Sequence, residues 1–295
     1  RLKVPPIIIG LTIVAMGTSL PETAVSVTAS LVNNNELAVS NVVGSNIFNL
    51  MVVVGVCSIL TPILVQKETI KRDIPFSMIC AFLLLGLGIL AVGDKSGMTL
   101  GHLDGMILLG FFAGYIVAMI QSAMKARAAG KNVEIEGIEE LEEEIGILSW
   151  PKSILFIIGG ALAIAFGGDL TVDAASRIAI DLGMSQTLVG LTIVSIGTSL
   201  PELVTSVVAA RKNEVDMAVG NAVGSNIFNI LMVLGIASAI NPVALIRENI
   251  IDIVILIVFS LIVWIYAATK RKISRKEGIS MVCLYLIYAG YIIWR

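Results

Sequence analysis

From Gly10 the chain reads GLTIVAMGTSLPE, and from Gly190 it reads GLTIVSIGTSLPE. A second block follows each copy at the same distance: NVVGSNIFN from Asn41 and NAVGSNIFN from Asn221. The offset is 180 residues without a gap, and it still holds at Pro62 and Pro242. A repeat kept in register over so long a stretch is a duplicated structural unit, so whatever one copy folds into, the other must fold into as well. Each copy also sets a glutamate, Glu22 or Glu202, inside an otherwise apolar run. The fold has to accommodate both.

Composition fixes the solvent. Of 295 residues, 57% are hydrophobic and 14% charged, with a mean hydropathy of +0.94. A water-soluble domain carries about 25% charged residues. Apolar runs here are long enough to cross a hydrocarbon core as helices. Helices satisfy their own backbone groups in lipid, and no alternating pattern points to a barrel. The chain therefore reads as an all-α polytopic membrane protein. Cys57, Cys80 and Cys283 stand singly in apolar segments with no CxxC spacing, which suits packing better than metal or redox chemistry.

Nine apolar segments are expected, at 6–32, 36–60, 72–93, 101–124, 152–179, 186–210, 215–240, 249–269 and 277–294. The repeat matches 6–32 with 186–210 and 36–60 with 215–240. The segment at 152–179 precedes the second copy, so its counterpart would precede Arg1. The expected whole is ten helices as two inverted five-helix repeats, with the first helix of repeat one missing from this chain. An odd number of crossings per repeat inverts the second copy, an architecture of secondary transporters. Three regions follow: residues 1–124 with helices 2–5, an acidic connection at 125–151, and residues 152–295 with helices 6–10.

Charge sets the sidedness. One set of helix ends holds Arg1, Lys3, Lys67, Lys71, Arg72, Lys125, Arg127, Lys131, Lys152, Arg211, Lys212, Lys270, Arg271, Lys272, Arg275 and Lys276. The other holds Lys95, Arg177, Arg247 and Arg295. The positive-inside rule puts the first set in the cytoplasm. The connection at 125–151, with seven glutamates from Glu134 to Glu144, lies on that side. It lacks the Asp/Asn/Gly ligand pattern of an EF-hand loop and reads as a solvated linker. The single histidine, His102, sits at an outer helix start and reads as structural or exposed.

Chemistry concentrates where the helices break. Pro21 and Pro201 lack an amide hydrogen and crowd the carbonyls of Gly17 and Gly197. Broken backbone at membrane depth must face protein or a polar cavity. Thr18, Ser19 and Glu22 share one helix face by spacing, as do Thr198, Ser199 and Glu202. Ser45, Asn46 and Asn49, with Ser225, Asn226 and Asn229, form a second group at related spacing. The inventory is two carboxylates, hydroxyls, amides and loosened carbonyls, with no His or Cys. Oxygen donors of this kind suit hard cations such as Ca2+ and Na+ rather than Zn2+ or Cu+. Two glutamates could neutralise one Ca2+, and without a cation they would repel, so that protons would compete for the same place. A kink and close packing at Gly44 and Gly224 could account for single features. They do not account for a duplicated intramembrane glutamate with no Lys or Arg at matching depth.

At these residues the chain resembles the sodium/calcium exchangers of the cation/calcium antiporter superfamily. GTSLPE and GSNIFN look like that family's two α-repeats, and the resemblance covers nearly the whole chain, Gly168-Asp169 to Ala179 included. It implies an antiporter exchanging Na+ for Ca2+ by alternating access at the plasma membrane, with 152–179 and its counterpart as the moving gate. By position, Glu22 and Glu202 would be the central Ca2+ carboxylates. Ser19, Ser199, Thr18, Thr198, Ser45 and Ser225 would supply further oxygens, some of them to flanking Na+ sites. Asn49 and Asn229 would complete the centre, and carbonyls near Ala15 and Ser195 would contribute. Some relatives carry Asp at one of the two Asn positions; here both are Asn, which weakens a potassium-dependent reading. The proton/calcium branch is the runner-up. The implied substrates are Ca2+ and Na+ and the implied surroundings the lipid bilayer, with no cofactor, no nucleic acid and a monomer sufficient for transport. A channel fits inverted broken helices poorly. An intramembrane enzyme would need a nucleophile with its base, or a His-ligated metal, and neither is present.

Overall fold

Apolar sequence of helix length, given nothing else to bond its backbone to, folds on itself locally. A computed structural model describes residues 6–31, 35–90, 98–128, 149–181, 183 and 195–294. We number the helices α1 (Ile7–Thr18), α2 (Leu20–Leu31), α3 (residues 35–60), α4 (Thr69–Leu90), α5 (His102–Ala128) and α6 (Trp150–Asp181). The second half continues with α7 (Ser195–Thr198), α8 (Leu200–Arg211), α9 (Val215–Ile240), α10 (Arg247–Lys270) and α11 (Arg275–Trp294). Among the described residues six helices are long and apolar enough to cross a membrane, namely α3, α4, α5, α9, α10 and α11, and the bent pair α1–α2 makes a seventh. The molecule is an all-α, multi-pass membrane protein. Helix α6 has 32 residues, about 48 Å at the usual rise, which exceeds the thickness of a hydrocarbon core. The apolar segment expected at 186–210 is described from Ser195 onward, and most of the acidic connection lies outside the described residues.

The two GSNIFN helices form the centre. The membrane-spanning parts of α3 and α9 are each 78% buried, against 28% for α5 and 17% for α11, so the latter two take the lipid-facing perimeter. Small residues let the core helices meet backbone to backbone. A methyl group at Gly220 would stand 2.8 Å from the Ile7 carbonyl, and one at Gly224 would stand 2.8 Å from the Leu11 backbone. Neither position has room for a side chain, so α1 is clamped across α9.

Both repeats carry the same irregularity. Helix α3 widens to a π-turn over Asn49–Val53, and α9 does so over Asn229–Val233, 180 residues on. π-Bulges frequently mark functional sites. Two further π-turns, Gly10–Val14 and Thr69–Asp73, have no described counterpart. The latter starts α4 at Thr69, three residues before the apolar run, because polar residues at the membrane edge can still join a helix. Two short antiparallel pairs tie the halves together. One joins β1 (Ile63–Leu64) to β4 (Lys272–Ile273), and the other joins β2 (Thr99–Leu100) to β3 (Val243–Ala244).

Candidate functional site

Each repeat breaks its helix where the sequence carries proline. Helix α1 stops at Thr18, Ser19 leaves helical geometry at φ −85°, ψ 11°, and α2 starts at Leu20 with a 47° change of direction. The second copy repeats this: Ser199 has φ −90° and ψ 3°, between α7 and α8. The prolines thus fall in the first turn of the second helical piece, where a missing N–H is no loss. The break puts Ser19 and Glu22, and their repeats Ser199 and Glu202, fully inside the protein.

The halves then interlock at the carboxylates. The Ser19 hydroxyl donates to Glu202 Oε1 at 3.0 Å, and the Ser199 hydroxyl donates to Glu22 Oε1 at 3.2 Å. Each glutamate is therefore held by the serine that stands three residues before the other glutamate. Ser225 adds a second hydroxyl to Glu202 Oε1 at 3.3 Å. Thr18 lies 3.5 Å from the Ser225 hydroxyl, and Thr198 lies 3.5 Å from that of Ser45. So Thr18, Ser19, Glu22, Ser45, Thr198, Ser199, Glu202 and Ser225 form one buried cluster.

Four asparagines form its floor. Asn46 donates to the Asn226 carbonyl, and Asn226 donates to the Asn46 carbonyl, both at 3.1 Å. Asn49 donates to Asn226 Oδ1 at 3.3 Å, and Asn229 donates to Asn46 Oδ1 at 3.1 Å. The crossed pattern is what a pseudo-twofold axis between α3 and α9 requires. It fixes the amides of Asn49 and Asn229, whose NH2 groups are committed and whose oxygens are not.

The unpaired atoms define the centre. Glu22 Oε2, Glu202 Oε2, Asn49 Oδ1 and Asn229 Oδ1 are buried and have no hydrogen-bond partner among the described residues. They come as two symmetric pairs, and all four are acceptors. A buried acceptor without a donor costs about 1–3 kcal/mol, and an unpaired buried charge costs more. A hard cation is the group that satisfies such a set. Among the described residues no three His, Cys, Asp or Glu side chains converge as a metal cluster, so a cation here would rest on two carboxylates and neutral oxygens.

The carbonyls show less freedom. Ala15 O receives the Ser19 N–H at 3.0 Å and the Thr18 hydroxyl at 3.4 Å, so any ion there shares an occupied acceptor. Ser195 opens α7, and its side chain lies outside the described residues, as does that of Asp169. The structure adds residues that sequence reading did not single out as site residues. Asn41 donates to Ser26 Oγ at 3.1 Å and to the Glu22 carbonyl at 3.4 Å, while its Oδ1 accepts the Thr198 hydroxyl at 3.3 Å. Asn221 does the same for Ser206, the Glu202 carbonyl and Thr18. The signal was available: Asn41 and Asn221, like Ser26 and Ser206, are 180 residues apart and identical.

A multi-pass helical fold with two inverted broken helices around a buried oxygen cluster defines a membrane transporter. The comparisons identify which. Residues 1–121 and 152–294 match the family described as sodium/calcium exchanger protein, and the chain belongs to that family. It is 37% identical over 98% of its length to the putative antiporter CaxA of Alkalimonas amylolytica, covering 88% of that protein. It is 31% identical over 98% of its length to the sodium/calcium exchanger MaX1 of Methanosarcina acetivorans, covering 89% of it. A solved structure of the sodium-calcium exchanger NCX_Mj superposes with a TM-score of 0.80 at 31% identity, over 98% of this chain and 88% of that one.

Proposed function

We propose that this chain is a secondary antiporter that exchanges Na+ for Ca2+ by alternating access, and that the Glu22–Glu202 cluster is its transport site. The observation that carries the reading is the four unpartnered acceptor oxygens at the centre of a fully buried network. Two carboxylates neutralise one Ca2+ or two Na+, so the ions compete for the same oxygens. Thr18, Ser19, Ser45 and their repeats Thr198, Ser199 and Ser225 can turn their hydroxyls from one another toward an ion. That exchange lets the site load either species without leaving a charge unpaired. With Asn at both 49 and 229 the centre holds no third carboxylate, which argues against a potassium-dependent cycle. Family membership and the names of the relatives support the same substrates.

The broken helices supply the means of alternation. The breaks at Ser19 and Ser199 have the same backbone geometry, and in an inverted repeat opening on one side and on the other would use equivalent parts. The basic ends of the helices face the cytoplasm by the positive-inside rule, and the plasma membrane is the expected location. Titration calorimetry on the purified full-length protein in Na+-free buffer tests the site. Ca2+ should bind, and rising Na+ should weaken that binding competitively; Ca2+ binding indifferent to Na+ would rule out a shared site.

A further inference from the structure

A second feature lies away from the ion site, on the lipid side of the fold. Helices α4 and α5 diverge and leave a groove of about 560 Å3. Its walls are apolar: Phe76 from α4, and a stretch of α5 running from Ile107 to Met119. Gly110 and Gly114 form its floor, and a methyl group built on either would meet nothing within 4 Å. The two glycines therefore keep a channel open instead of admitting a neighbouring helix. The twelve helical rises from Ile107 to Met119 make the groove about 18 Å long, close to the depth of one leaflet's hydrocarbon.

The mouth of the groove is polar. Arg72 and Asp73, in the first turns of α4 at the basic end of the bundle, line it and form an ion pair at 2.7 Å. Arg72 also donates to the Ser122 hydroxyl at 3.2 Å, and its side chain remains 44% exposed. Asp73 is 2% exposed, and its Oδ2 has no hydrogen-bond partner among the described residues. The mouth thus offers the exposed guanidinium of Arg72, with Nε spent on Asp73 and one terminal N–H on Ser122, and, buried just inside it, a carboxylate oxygen with no donor of its own.

We propose that this groove is a binding site for a phosphatidylethanolamine, with one acyl chain between α4 and α5, the phosphate on Arg72 and the ammonium on Asp73. Guanidinium suits phosphate through paired N–H donors. A primary ammonium brings the N–H that Asp73 Oδ2 lacks. Phosphatidylcholine has no N–H on its methylated nitrogen, and phosphatidylglycerol has no cation at all. Tyr115 forms part of the wall and donates to the Leu11 carbonyl at 3.1 Å, so the occupied groove would lie directly against α1.

Native mass spectrometry of the purified full-length protein with an equimolar mixture of the three lipids tests this. Phosphatidylethanolamine should be retained on the order of tenfold over phosphatidylcholine, the worth of one charge-assisted hydrogen bond. Gly114→Leu should abolish retention of all three with no loss of thermal stability, since it fills open space. Asp73→Asn should erase the preference and keep the binding. Equal retention of the three lipids, a preference for phosphatidylglycerol, or retention unchanged by Gly114→Leu would each overturn the proposal. So would a dimer of the chain that Gly114→Leu dissociates, because a second copy would then occupy the groove.

Discussion

At the scale of single residues the site is a balance between atoms that are paired and atoms that are not. Glu22 and Glu202 each spend one oxygen on a hydroxyl from the opposite half and leave the other unpaired. Replacing either by Gln removes a negative charge and turns an acceptor toward a donor, with little change in shape. Glu22→Gln and Glu202→Gln should each lower Ca2+ uptake by at least about a hundredfold, the cost of one charged ligand at about 3 kcal/mol. Uptake assayed beside a size-exclusion profile separates this from misfolding. The asparagine floor has a different role. Asn46→Ala removes the donor to the Asn226 carbonyl and the acceptor for the Asn229 amide. It should destabilise the protein by about 1–3 kcal/mol, read as a lower unfolding temperature in detergent.

Much of this was legible because the duplication writes each site residue twice. The glutamates, the TS pairs and the SN-xx-N spacing all stand out at the 180-residue offset. What was not legible is which atoms meet. Helical spacing puts Ser19 on the face of Glu22, its own neighbour, yet its hydroxyl reaches across to Glu202. Asn41 and Asn221 repeat just as faithfully, but an amide within a small-residue stretch reads as packing until the partner helix is in place. Spacing reports one helix at a time; the crossing of two helices decides the bonds.

At the scale of elements, the proline-broken helix is the unit on which the proposed transport cycle depends. Pro21 lies in the first turn of α2, so the break at Ser19 does not strain either helical piece. Pro21→Ala would restore an N–H to bond the Gly17 carbonyl and allow α1 and α2 to join. The variant should fold and bind the membrane normally but lose most of its Ca2+ uptake. Unchanged uptake would mean that the bend is incidental. The π-turns at Asn49 and Asn229 belong to this scale too, and sequence did not announce them. A π-turn is a small change in hydrogen-bond register that the i, i+3, i+4 pattern of apolar residues conceals. The two strand pairs were equally hidden, since two residues are too few to show alternation.

At the scale of the whole molecule, inversion explains why so polar a centre can sit in so apolar a chain. Ser19 and Ser199 each donate to the glutamate of the other half, the four asparagines bond across it, and within this cluster four acceptor oxygens, two from each half, are left over. The fold class and the pairing of the two halves followed from composition and offset alone. Sidedness rests on the basic residues, and the coupling ion rests on the chemistry of the centre. The most direct test of the account is radioactive Ca2+ uptake into proteoliposomes carrying the full-length protein, loaded with Na+ and diluted into Na+-free buffer, beside a parallel set given only a pH gradient. The account predicts uptake driven by the Na+ gradient and absent from Glu22→Gln vesicles. Uptake driven by the pH gradient alone would contradict it and make the glutamates proton carriers of a proton/calcium exchanger.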